Sequence, residues 1–245
     1  GVRLAERLGK LVVRSADVAG FIGNGHFIRE GAYALARAQE IADGGLGFEG
    51  AIRAIDIVTR EALLRPMGIF QLIDYVGIDV FTAIADVMSR HLEGEDLRHP
   101  LLDKMLASRR RGGQDPTGAQ TDGFLSYEDG RPTGVFSLAD EAYRPLAEID
   151  PRVRERLGDL PDAPQWRTLR KDSERDEKIA RHFAGLEASR APGARLALEY
   201  LERSREIAAE LVRSGVASAG ADVDRVLVEG FHHLYGPLSI PGWSE

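Results

Sequence analysis

From Val18 to Leu106 the apolar residues recur at steps of three and four, and that rhythm confines this half of the chain to amphipathic helices. Phe21, Ile28, Tyr33, Leu35, Ala38 and Ile41 mark a first long helix, stopped by the pair Gly44-Gly45. A second helix spans roughly residues 48–64, with Ile52, Ile55, Val58 and Leu63 on its buried side and Pro66 ending it. Val76, Val80, Ile84, Val87 and His91 predict a third over about 78–92, and Leu101, Leu102, Met105 and Leu106 a fourth.

The rest of the chain is less regular. At the start, Val2, Leu4, Ala5 and Leu8 fit a short helix ending at Gly9, and Leu11-Val12-Val13 reads as a buried strand without a ladder partner in this sequence. Residues 112–134 are rich in Gly, Asp, Thr and Pro, and only the four residues 124–127 suggest a strand. Pro145, Pro151, Pro161 and Pro164 punctuate a connector over 131–172, after which residues 173–245 are helical again. That last stretch contains an expected repeat of the first. Residues 201–215 parallel 34–45, and Asp224 precedes Pro237 by the same thirteen positions that separate Asp56 from Ile69.

Composition narrows the class of function. With 245 residues, 43% hydrophobic and 29% charged, the chain can bury one large core or two packed modules. A net charge of -7 without a basic stripe argues against a nucleic-acid partner. No apolar run is long enough to cross a bilayer, so membrane insertion is not expected. The absence of cysteine removes disulfides, thiolate metal sites and a cysteine nucleophile, and makes the cytoplasm the default location. The histidines show no metal-ligand spacing.

Two motifs carry chemistry: Gly20-Phe21-Ile22-Gly23-Asn24 at the head of the first long helix, and, some forty residues on, Arg65-Pro66-Met67-Gly68-Ile69-Phe70-Gln71-Leu72-Ile73-Asp74-Tyr75-Val76-Gly77. Their order and spacing resemble the helical half of the L-3-hydroxyacyl-CoA dehydrogenases. Gly118, Thr121, Gly123, Phe124 and Tyr127 loosely follow the tail that closes that domain. The resemblance implies an all-α fold of two packed helical modules, of the kind found C-terminal in 6-phosphogluconate dehydrogenase, related by internal duplication. It divides the chain into the tail of a nucleotide-binding domain (1–15), a first helical domain (16–130), the connector (131–172) and a degenerate second repeat (173–245). No glycine-rich strand-turn-helix for a dinucleotide is present, so NAD would be bound by a preceding domain, with Gly1 as a cut point.

The same resemblance implies that Asn24 is the catalytic-site asparagine that orients the reacting oxygen, and that Pro66 and Met67 line the acyl end of the cleft. Read from the residues alone, Asn24 is equally a polar residue of a first helical turn, and Pro66 and Met67 a helix stop followed by core filling. Phe21 is expected to pack, and Asp74 and Asp79 to cap or frame the next helix. Arg109-Arg110-Arg111 is either a solvated helix end or a contact for coenzyme A phosphates. Two departures matter: Gly25 stands where the family carries arginine after the asparagine, and Ile69 where it carries proline. The implied function is the substrate-binding and dimerisation part of an NAD-dependent 3-hydroxyacyl-CoA dehydrogenase of β-oxidation, inactive by itself, with acyl-CoA as substrate and an enoyl-CoA hydratase module or a second copy as possible partners. The alternatives are a non-catalytic assembly module and a related 3-hydroxy acid dehydrogenase.

Overall fold

The computed structural model describes residues 2–243; Gly1, Ser244 and Glu245, and with them the cut point read at Gly1, lie outside the described residues. The architecture is mostly helical, as the apolar rhythm requires. Its elements begin with α1 (Val2–Arg7), α2 (Gly23–Ile41), α3 (Gly47–Ile57), α4 (Ile69–Val76), α5 (Ile78–His91) and α6 (Pro100–Ala107). Periodicity did not register α4, because Gly68 before it and Gly77 after it leave only eight residues. Gly44-Gly45 stop α2 as expected: the helix loosens into a wide turn at Ala42–Leu46, in which Gly45 takes φ 97°.

A second wide turn, Val58–Ala62, carries α3 onward to Leu63. Carbonyls at such a helix end need outside donors when buried. Here they come from the other end of the sequence: His182 Nε2 reaches the Ala62 carbonyl at 2.7 Å and the Tyr235 hydroxyl donates to Leu63 at 2.7 Å.

The all-α expectation gains a small antiparallel sheet. The strand expected at 124–127 is β1 (Leu125–Glu128), which pairs with β2 (Arg131–Ser137), and β2 pairs with β3 (Ala142–Pro145). Phe124, Leu125, Val135 and Phe136 are buried, so the meander closes one side of the helical core. The stretch read as a connector is built rather than bare, since after β2 and β3 come α7 (Leu146–Leu157) and α8 (Trp166–Leu169). Pro151 removes one helical N–H from α7, which hid this helix from sequence patterning. It persists because Val153 and Leu157 are buried and Arg53 of α3 grips Asp150 with two bonds of 2.7 and 2.9 Å.

The chain ends in α9 (Arg175–Ala188), α10 (Pro192–Arg213) and α11 (Gly220–Gly230). One apolar core runs through both halves, joining Ile28, Leu35, Ile55 and Phe81 to Val153, Phe183, Tyr200 and Leu201. The strand expected at Leu11-Val12-Val13 does not form. That segment instead leads to a single bridge, Ser15 opposite Ala217, closed by Ala16 N–H on the Val216 carbonyl at 3.0 Å. Its partner is thus the loop after α10.

The expected repeat has matching local geometry at its two anchor points. The Asp56 carboxylate accepts the Gln71 amide at 3.1 Å, and a Cβ on Gly68 would come within 2.0 Å of Asp56 Oδ1. Asp224 accepts the Leu238 amide at 3.0 Å, and a Cβ on Gly236 would come within 2.0 Å of Asp224 Cγ. In both places an aspartate on one helix holds a glycine turn so closely that no side chain fits.

Asp74 is not a helix cap. It is fully buried and gathers the loop before the sheet, accepting Phe124 N at 2.7 Å, Leu125 N at 2.8 Å and the Tyr127 hydroxyl at 2.9 Å. Burial pushes its pKa well above the usual carboxylate range, while these donors pull the other way. Asp79, by contrast, does frame a helix, accepting the Val80 amide at 2.9 Å.

Two stability outcomes are expected from these contacts. Gly68→Ala and Gly236→Ala should each cost about 1–3 kcal/mol through overpacking against the aspartate. Asp74→Ala should cost about 3–5 kcal/mol, because two buried amides lose their acceptor together. Urea unfolding checks all three; unchanged midpoints would mean the clasps do not bear on stability.

Candidate functional site

The head of α2 is where the sequence places chemistry, and its construction begins with burial. Ile22, Phe27 and Ile28 turn inward, and Ile22 joins Leu211, Val216, Ala217, Val223 and Leu227 in a small second core that also receives Val13 and Val18. The extended segment from the N-terminus and the second helical module therefore both meet the first turn of α2. Phe27 sets its ring edge-on against Phe81 of α5, with centroids 5.3 Å apart.

Beneath that turn lies a buried polar cluster. Glu30 and Arg65 form a bidentate pair with bonds of 2.7 and 3.0 Å, their side chains only 4% and 7% exposed. Arg65 also reaches the Ser204 hydroxyl at 3.4 Å and lies over the Tyr200 ring. Nε2 of His26 faces the Ser204 carbonyl at 3.1 Å, and the Tyr200 hydroxyl donates to the Glu30 carbonyl at 3.2 Å. Burial pushes the Glu30 carboxyl up, but Arg65 and His26 more than reverse that and bring it to about 2. Burial lowers His26 and, more strongly, His233, and the Arg65 charge lowers both further, so both rings are neutral near pH 7.

Above the cluster the surface is open. Asn24 is exposed on the first turn of α2, and among the described residues its carboxamide makes no hydrogen bond. The helix start has no side-chain cap, and among the described residues the Gly23 and Asn24 N–H groups have no acceptor. Phe21, expected to pack, is 53% exposed and takes φ 47°, an uncommon conformation for a residue with a side chain. Arg29, one turn further along, donates to the Gly25 carbonyl at 2.7 Å and grips Glu95 with Nε and Nη2 at 2.7 and 2.5 Å.

Pro66 and Met67 are half-buried. The Glu30–Arg65 pair fixes the start of their segment against α2, although neither residue is brought into contact with Asn24. The triple-arginine end of α6 is not a free cationic cluster: Arg110 stacks on Phe136 and Tyr143 at 5.0 and 5.1 Å, and Arg111 lies 4.0 Å from Asp79. Sequence reasoning passed over His26, Arg29 and Glu30. The available signal was charge inside an apolar stripe, since His26 and Glu30 stand four apart on the face of α2 that also buries Phe27 and Ala34.

Residues 20–121 match the family model described as 3-hydroxyacyl-CoA dehydrogenase, C-terminal domain. The fold is similar to the crystal structure of 3-hydroxybutyryl-CoA dehydrogenase from Escherichia coli K12 substr. MG1655, with a TM-score of 0.57 and 18% sequence identity. That similarity covers 96% of this chain and 55% of the other, so the chain spans about half the length of the protein it matches.

The buried cluster fixes a pH dependence. His26 has a folded pKa below its ordinary 6.5, so as pH falls the unfolded chain takes up its proton first, and stability declines below about pH 6.5. His233 and His182, both also lowered, act in the same direction. The Glu30 contribution is present above 4.5 and is lost as pH falls toward 2. The buried Asp74, whose raised carboxyl binds its proton first in the folded chain, works in the opposite direction, so the His26 part is read against a variant: the urea midpoint should fall less from pH 7 to pH 5.5 in His26→Gln than in the wild type. Glu30→Gln, which strands Arg65, should cost about 3–5 kcal/mol at pH 7. The same pH response with and without His26 would contradict the assignment.

Proposed function

We propose, from the match of residues 20–121 to the 3-hydroxyacyl-CoA dehydrogenase C-terminal domain model, that the chain is the substrate-presenting helical part of an NAD-dependent enzyme that oxidises a 3-hydroxyacyl-CoA to the 3-ketoacyl-CoA in fatty-acid β-oxidation. The carrying observation is the open, unpaired head of α2 on a rigid underside. Asn24 and the uncapped N–H groups of the first turn can donate to a substrate oxygen, and the carboxamide oxygen can accept from a hydroxyl. Oxidation turns a carbinol into a carbonyl, so a group able both to donate and to accept suits the same oxygen before and after the reaction. Pro66 and Met67 would form an apolar wall for the acyl chain.

The described residues do not fit NAD. Their strands are an antiparallel meander, and none feeds a glycine-rich turn into a helix N-terminus. In this reading the cofactor and the acid-base pair belong to another domain, for which the exposed Leu4, Leu8, Leu11 and Phe21 offer apolar contacts. The partial coverage of the solved dehydrogenase is consistent with such a domain. The second helical module, which the matched Asp56–Gly68 and Asp224–Gly236 clasps support as a duplicate of the first, buries the faces of α2 that a partner would otherwise cover. Gly25, in place of the family's arginine, favours a second reading as a non-catalytic assembly module.

Turnover separates the two. Residues 1–245 alone should not reduce NAD with a 3-hydroxyacyl-CoA, whereas the full-length protein should. Asn24→Ala in the full-length protein should lose about 2–4 kcal/mol of transition-state stabilisation, read from kcat/KM. Unchanged kinetics would remove Asn24 from the site, and a full-length protein without turnover would leave the assembly reading.

A further inference from the structure

Packing holds the inner side of the first turn of α2, and one guanidinium ties its Gly25 carbonyl to the loop after α5. Asn24 has no hydrogen bond of its own among the described residues, and no side chain caps the helix, so what the fold fixes is the place from which its side chain starts, through the backbone of residues 22–26. Arg29 holds that backbone. Its Nη1 donates to the carbonyl of Gly25, the residue next to Asn24, while Nε and Nη2 lie on the two carboxylate oxygens of Glu95 in the loop after α5. The Arg29 side chain is 12% exposed, and the pair is planar and bidentate, a geometry that sets direction as well as distance.

Position 25 makes this possible. A Cβ there would come 3.1 Å from Leu211 Cδ2 and 3.4 Å from Arg29 Nη1, so the Leu211 side chain would have to give by a few tenths of an ångström and a longer side chain would crowd the guanidinium. The arginine that the dehydrogenase family carries immediately after the asparagine is missing, but a cation reaches the same turn from four residues later. The glycine gives it room.

We infer that Arg29, braced by Glu95, is a positioning residue for the turn that carries Asn24. This rests on the dehydrogenase reading above. Arg29 touches no reacting atom; it fixes the turn that carries the carboxamide, and a small displacement of a positioned group is enough to slow a reaction strongly. A lysine at 29 would keep the charge but not the two-pronged grip on Glu95.

The test uses the full-length protein with 3-hydroxybutyryl-CoA and NAD. Arg29→Lys and Glu95→Gln should each lower kcat by about tenfold or more while KM for the acyl-CoA stays within about twofold. In an Asn24→Ala background, Arg29→Lys should change kcat by less than about twofold, because the group it positions is gone. Amide exchange at residues 23–27 should quicken in Arg29→Lys and stay unchanged in α10. Equal losses of kcat with and without Asn24 overturn the positioning role and leave the dehydrogenase reading intact. A wild-type protein with no turnover overturns the dehydrogenase reading and the catalytic purpose of the brace with it, even if exchange at residues 23–27 responds.

Discussion

The Glu30–Arg65 pair is the contact on which the arrangement depends. It joins the middle of α2 to the segment that enters α4, and through Ser204 and Tyr200 it reaches α10. An ion pair this deep is costly to desolvate, and it holds only because nearly every polar atom around it finds a partner. Three stretches far apart in sequence must therefore assemble together, since leaving out α2 or the Arg65 segment strands a charge and leaving out α10 uncovers the pair. The two neutral histidines beside the pair fill the remaining space without adding a second unpaired charge.

That dependence explains why one open surface can sit above a tightly fixed interior. The underside of α2 is set by Phe81, Leu211, Ser204 and Arg65, which come from α5, α10 and the segment before α4. The upper face then needs no contacts of its own to be well placed. A binding surface whose geometry is fixed from behind can stay free for a ligand.

The helices of the first half were legible because their apolar residues recur at helical steps, but the period did not give the buried face everywhere: Val80 and Val87, which marked α5, are exposed while Phe81, Ala85 and Met88 are buried, and α3 is buried on nearly all sides. Elements whose stability is tertiary escaped. Helix α4 is too short for a period, α7 contains Pro151 and depends on Arg53, and β2 and β3 depend on each other and on the core beneath Phe136. At the site, the motif located Asn24 and the Pro66–Met67 segment, but spacing carries no information about exposure. It could not show that Phe21 faces outward or that Arg29 turns back to Gly25, because both follow from contacts with α5, α10 and the loop holding Glu95.

The bridge between Ser15 and Ala217 bears on where this protein can be divided. The matched family segment closes at residue 121, and a boundary drawn there by homology would look natural. Yet the entry into α2 is stitched to the turn after α10, and the inward sides of Ile22, His26 and Glu30 are roofed by residues beyond 200. A chain shortened to residue 121 would expose an oily stripe and an orphaned imidazole to water. The minimal autonomous unit is thus set by who shelters the underside of one helix, and it extends past the matched segment through the small sheet and the connector helices into the second module.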